Sequence, residues 1–261
     1  MLTGSFWRGE GLFTEESVKR FARSGILWKG NMMKLRFAVR VAGAALVIFL
    51  LPHASLATGE EAEKVVESAN VLEQIMSIPE SAIPPSLLQN AYGIAIVPGV
   101  IKAGFFIGGR YGTGVICVRN AAGTWSNPSF VSLAGGSFGW QIGAQSTDVI
   151  LVFKTPRSIE GIMQGKFTLG ADAAVAAGPV GRRVEGATDV ALKAEILSYS
   201  RTRGFFAGVS LEGSALQIDH EANAAFYGRS DVRPEDIFNN RGVVAPESAL
   251  RLRQALVTYA R

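Results

Sequence analysis

A five-residue unit occurs three times in this chain: glycine, an aromatic residue, any residue, isoleucine or alanine, then glycine. It does more than any other feature to limit the fold. The copies are Gly104-Phe105-Phe106-Ile107-Gly108, Gly139-Trp140-Gln141-Ile142-Gly143 and Gly204-Phe205-Phe206-Ala207-Gly208. Side chains alternate along a strand, so the two glycines of a unit share one face and the aromatic and Ile or Ala share the other. Bare positions on one face permit a sharply coiled sheet or the close approach of a second backbone. The spacing predicts three curved hairpins in a barrel or strongly bent antiparallel sheet. The units are too short and irregular for a solenoid or propeller.

The surrounding sequence supports an α+β class, with a strongly curved, glycine-rich β region over 91–218 and helices at both ends. Short apolar runs at Tyr92–Val97, Ala103–Ile107, Gly114–Val118, Gly136–Ile142 and Val149–Lys154 read as strands, as do Phe167–Ala176, Ile196–Ser200, Phe205–Leu211 and Ala215–Ile218. The glycines from Gly108 to Gly114 read as a β-turn, because the stretch runs into the apolar Val115–Val118 and opens no helix as a nucleotide-binding loop must. Over 60–77, Ala62, Val65, Ala69, Leu72 and Met76 recur at helical steps, and Ile78-Pro79 stops the pattern. A short helix is predicted over Pro85–Gln89. Another follows Thr155, with Thr155 as N-cap, Pro156 first and Gly165 beyond its end. A C-terminal helix is expected over 246–259.

Ahead of this domain, Lys34, Arg36 and Arg40 precede the apolar run Val41–Leu51 and the small residues of Ala54-Ser55-Leu56-Ala57. That is the plan of a secretory signal over 32–57, cleaved after Ala57, and the run is short of the ~20 apolar residues a bilayer-spanning helix needs. Residues 1–31 then read as a start called too early or a disordered leader, and 58–261 as one domain. An uncleaved anchor with a cytoplasmic tail is the competing reading. The leader holds eight basic and three acidic residues, so the basic balance of the whole chain, 26 against 22, resides there and gives no argument for a nucleic-acid partner. The single cysteine, Cys117, precludes an internal disulfide even though the export signal points to an oxidising compartment, expected to be the periplasm.

Catalytic chemistry finds little support. His220 is the one histidine beyond the signal and reads as a surface residue at a strand end. Cys117, mid-strand among Val115, Ile116 and Val118, reads as a core residue. A tetrahedral metal site lacks ligands, and no cofactor motif is complete. The cations Lys102, Arg110, Lys166, Arg182, Arg183, Arg201 and Arg203 all lie near glycine-rich stretches and beside aromatics. Gathered on one rim they form a patch for an anionic surface. On pattern alone, scattered solvated arginines and core aromatics are the simpler reading.

Ordered motifs then point to a family. Ala91-Tyr92-Gly93-Ile94-Ala95-Ile96-Val97-Pro98-Gly99, the first glycine-aromatic unit, Trp125-Ser126-Asn127-Pro128-Ser129-Phe130, Leu169-Gly170-Ala171-Asp172, Ala176-Ala177-Gly178-Pro179-Val180-Gly181-Arg182 and Leu211-Glu212-Gly213 resemble the SYLF domain family in order. The resemblance implies a non-enzymatic lipid-binding module. Eukaryotic relatives bind phosphoinositides through an amphipathic helix and a basic surface, and some bind actin. Here the helix over 60–77 is acidic and the chain carries an export signal. The expectation is therefore a module engaging anionic phospholipid head groups at an envelope membrane, the alternative being a structural domain with an envelope protein partner.

Overall fold

The computed structural model describes residues 54–80, 82–120, 122–165, 167–181, 193–202, 205–208 and 211–260, and the backbone alone at 54–58, 103–107, 137–145, 202 and 205–208. The leader and most of the export signal lie outside the described residues. Residues 54–261 form a compact unit by themselves.

Helix α1, Ala54–Met76, starts earlier than its periodicity predicts and ends where expected, just before Pro79. Val65, Ala69, Leu72 and Ile75 are its fully buried apolar residues, spaced so as to lie on one stripe. Helix α2, Pro85–Gln89, opens on a proline whose missing N–H costs a first turn nothing.

The sheet corrects the reading of many short strands. The chain from Gly93 to Val118 is one strand of 26 residues, β1, and Ser129–Phe153 is a second, β2, of 25 residues. They pair antiparallel from Gly93 opposite Phe153 to Ile116 opposite Ser129, with irregularities between Val97 and Val100 and between Gly104 and Phe106. The stretch Gly108–Gly114 is therefore no turn. It is ladder, paired with Ser137 down to Val131. Nor do the first two glycine-aromatic units head separate hairpins: Gly104 lies opposite Gly143 and Phe106 opposite Gly139, so both belong to one ribbon. The third unit enters the hairpin of β5, Ile196–Thr202, and β6, Phe205–Gly208, where Gly208 faces Tyr199. Gly204 lies outside the described residues.

Two short strands, β3 Phe167–Thr168 and β4 Val175–Ala177, replace the single strand expected over Phe167–Ala176. The break is the turn at Gly170–Asp172, where the Thr168 N–H donates to the Asp172 carboxylate at 2.6 Å. With β7, Ser214–Ile218, the described sheet has seven strands in the order β3-β7-β2-β5-β4, β1 lying along the other edge of β2 and β6 beside β5. Every pairing is antiparallel except β4 with β5.

Helix α3, Pro156–Met163, follows Thr155 as predicted. Helices α4, His220–Tyr227, and α5, Pro234–Phe238, were not legible as such, and α6, Glu247–Tyr259, closes the domain. Asp219 caps α4 by accepting the Ala222 N–H at 3.0 Å, and Gly228 ends it in the left-handed region at φ 66°.

Alternation divides the sheet between two cores. Ile94, Ile96, Val115, Cys117, Ile150 and Val152 point to a cluster completed by α1, α4 and α6. Their neighbours Ala95, Val97, Ile116, Val118, Val149 and Leu151 point to a second, completed by α3 and α5. Both faces being buried explains why these strand ends are apolar runs rather than alternating ones.

Glycine lets β1 double back. A β-carbon on Gly114 would lie 2.6 Å from the Val97 Cα, and one on Gly112 would lie 2.9 Å from Val100 Cγ2 and 3.1 Å from its Cα. Real β-carbons do not approach so closely, so a side chain at either position forces the two halves of β1 apart. The Arg119 N–H, donating to the Tyr92 carbonyl at 2.8 Å, closes the same seam.

Candidate functional site

Of the cations picked out in the sequence, Lys102, Arg110 and Arg201 are described. Lys166, Arg182, Arg183 and Arg203 lie outside the described residues. Lys102, opposite Gln145, and Arg110, opposite Gly135, both sit half-buried on β1. Lys102 lies two residues beyond Val100 and Arg110 two before Gly112, so each shares the face on which Val100 and Gly112 meet. Burial draws the Arg110 guanidinium below its ordinary value, and an arginine keeps its charge regardless. The aromatics expected to stand beside these cations, Phe105, Phe106, Trp140, Phe205 and Phe206, fall where only backbone is described.

Arg201 is engaged within the fold. Its Nε donates to Asp148 Oδ2 at 2.7 Å, across the β2–β5 pairing that sets these residues opposite each other. Asp148 Oδ1 accepts the Gly99 N–H at 3.0 Å, so one carboxylate ties β5 to the bulge of β1. Gly99 takes φ 60° there, a conformation that favours glycine. The charge of Arg201 is thus offset by Asp148, a residue sequence reasoning missed because it lies 53 positions away.

Charge is unevenly spread over the domain. From Gly93 to Thr147 the chain contains Lys102, Arg110 and Arg119 and no aspartate or glutamate at all. Helix α1 has Glu60, Glu61, Glu63, Glu67 and Glu73 against Lys64. Arg119 is spoken for: its guanidinium donates to the carbonyls of Ala91, Gly123 and Leu88 and lies 4.6 Å from the centre of the Trp125 ring. The described ribbon thus carries three cations and no acid, Lys102 and Arg110 near its middle and Arg119 at its end.

The segment Trp125-Ser126-Asn127-Pro128-Ser129-Phe130 is a hub, not a ligand site. Ser126 Oγ accepts the Val118 N–H at 3.0 Å, and Asn240 Oδ1 accepts that of Asn127 at 2.8 Å. Buried Asn223 accepts the Phe130 N–H at 2.9 Å and donates to Ser129 Oγ at 3.1 Å, while the Tyr227 hydroxyl donates to the Pro128 carbonyl at 2.6 Å. Arg253 of α6 adds a bond to the Asn127 side chain at 3.2 Å. These bonds lock the β1–β2 connection to α4, α6 and the turn after α5. Beneath them, burial pushes the Cys117 thiol up to about 12, partly opposed by Arg253, so Cys117 is an inert core residue.

No group of three or more His, Cys, Asp or Glu among the described residues could hold a metal ion. No described helix is long and apolar enough to cross a membrane.

The curled sheet, buried on both faces by helices, defines an α+β domain whose unusual features are structural glycines and a polarised surface. Residues 134–259 match a family model described as Ysc84, Las17-binding protein actin regulator. The SH3 domain-containing YSC84-like protein 1 of Xenopus laevis is 35% identical over 199 residues, covering 74% of this chain and 59% of that protein. The LAS seventeen-binding protein 3 of Saccharomyces cerevisiae is 38% identical over 181 residues, 68% of this chain and 39% of its own. The human YSC84-like protein 1 is 38% identical over 180 residues, 68% of this chain and 52% of its own. The chain belongs to the SYLF, or Ysc84, family. It spans from about two-fifths to three-fifths of these relatives' length.

Proposed function

We propose that this chain is a non-catalytic binding module that engages anionic lipid head groups at a membrane surface of the cell envelope. The observation that carries the reading is the polarity of the domain: a ribbon without a single acid from Gly93 to Thr147, set against a helix with five glutamates. An anionic bilayer attracts the first and repels the second, which orients the domain as well as binding it. Lys102, Arg110 and Arg119 are the cations of that ribbon, and the reading adds Arg182 and Arg183, which lie outside the described residues. Replacing Arg182 and Arg183 by alanine lowers the affinity for anionic vesicles by roughly fivefold per charge, measured by flotation. Equal binding by the variant and the parent contradicts the assignment.

Export is part of the same reading. The signal over 32–57 delivers the domain to the periplasm, with cleavage after Ala57. N-terminal sequencing of the protein recovered from its host is expected to begin at Thr58. A chain that retains Met1 or Met33 contradicts cleavage.

A second reading is supported by the family description, which names a Las17-binding actin regulator. A protein partner in the envelope then takes the place of the lipid. Partner binding with no vesicle binding favours that reading.

A further inference from the structure

Resting on the membrane-surface reading, we propose that the domain meets the bilayer with the bend of the β1–β2 ribbon, placing Ile101 and Tyr111 at the lipid interface and turning α1 and α6 away. Val100 and Gly112 are in contact, so the ribbon doubles back between them and brings Ile101 and Tyr111 to the two flanks of the bend. Ile101 is 56% exposed and Tyr111 57%, although the rest of β1 is largely a core strand. The other exposed positions described on the bend, Gly109, Ala134, Gly136 and Ser146, are small and uncharged. Lys102 and Arg110, both half-buried, each adjoin one of the two exposed residues, so their charge lies close to the bend and favours an anionic surface there.

The backbone limits how far the bend enters. Asp148 begins the pairing of β2 with β5 and Gly135 ends its pairing with β7, so between them β2 has β1 as its one strand partner among the described residues. A two-stranded ribbon leaves edge N–H and C=O groups that the hydrocarbon interior cannot satisfy, whereas water and head groups at the interface can. Tyrosine, apolar in body and polar at its tip, suits that depth.

A second exposed apolar pair provides the comparison. Leu250 and Val257 of α6 are 52% and 41% exposed. Leu250 adjoins Arg251, which bonds Asn70 and Glu73 of the acidic helix α1. Similar apolar exposure, but beside a helix with five glutamates to one lysine, makes this the wrong side for an anionic surface.

The test uses residues 54–261, which carry both cores and form a compact unit. Flotation with vesicles of phosphatidylcholine plus phosphatidylglycerol compares the parent, an Ile101→Ser/Tyr111→Ser variant and a Leu250→Ser/Val257→Ser variant, each with its melting temperature. The expected result is a loss of roughly tenfold or more in partitioning for the first variant and little change for the second, both remaining folded. Parent binding that the first variant retains overturns the orientation and leaves the membrane reading standing. Failure of the parent to float overturns both.

Discussion

Replacing Gly114 by valine abolishes the folded state, whereas replacing Gly136 by alanine leaves the melting temperature almost unchanged. Both glycines lie on the same ladder, Gly114 opposite Val131 and Gly136 opposite Gly109, so strand propensity alone gives them similar tolerance. Their surroundings differ. A β-carbon at Gly136 meets nothing within 4 Å, while at Gly114 it meets the backbone of Ile96 and the Cα of Val97. Backbone cannot rotate aside as a side-chain tip can. The seam of β1 must open, and with it the contact between the halves of the sheet from which both cores are built. The cost exceeds about 4 kcal/mol, a large share of the 5–15 kcal/mol typical of a domain. Thermal denaturation by circular dichroism reads both outcomes. A Gly114→Val protein melting with the parent contradicts the doubled-back strand.

Stability falls steeply as pH rises above about 9. Burial pushes the Cys117 thiol from its ordinary 9.0 up to about 12. The hydroxyls of Tyr199 and Tyr227 are also pushed up, Tyr199 by burial and Tyr227 by burial first and then by the neighbouring Cys117. Each group keeps its proton in the folded chain at a pH where the unfolded chain has released it. The folded state thus binds more protons, and its stability must decline with rising pH. The stabilisation is fully present below the unfolded values and is lost progressively toward the folded ones. The slope is about 1.4 kcal/mol per pH unit for Cys117 beyond pH 9, with each tyrosine adding a comparable slope beyond about 10. Urea titrations between pH 7 and 11 test this. Cys117→Ala removes one proton's worth of slope just above pH 9 even if it lowers stability throughout. A flat profile contradicts the burial of these groups.

Helices α1, α2 and α3 were legible because their signals are local. Proline fixes φ at the starts of α2 and α3, Pro79 forbids continuation of α1, and the buried stripe of α1 follows from spacing alone. The seam of β1 was not legible in that way. Gly108–Gly114 has the composition of a turn, and what makes it strand is its pairing with Val131–Ser137 together with the close approach of Val97 and Val100. Glycine marks both a turn and a close backbone contact, and only the partner distinguishes them. Bend and curvature were read correctly from the glycine-aromatic units, but the number of hairpins was not, since two units turned out to face each other across one ladder. Asp148, Asn223 and Asn240 carried no sequence signal because their partners are set by register and docking. The patch of cations divided for the same reason: strand alternation puts Lys102 and Arg110 half-buried where β1 doubles back, and register hands Arg201 to Asp148.

The central claim is that the domain recognises negative charge at a lipid surface, and the most direct measurement is co-sedimentation of residues 58–261 with vesicles. One set contains zwitterionic phosphatidylcholine alone and the other adds anionic phosphatidylglycerol, each at low and high salt. The account predicts pelleting with the anionic vesicles at low salt, weakened at high salt, and little with the zwitterionic set. Binding to both sets alike, or unaffected by salt, contradicts it.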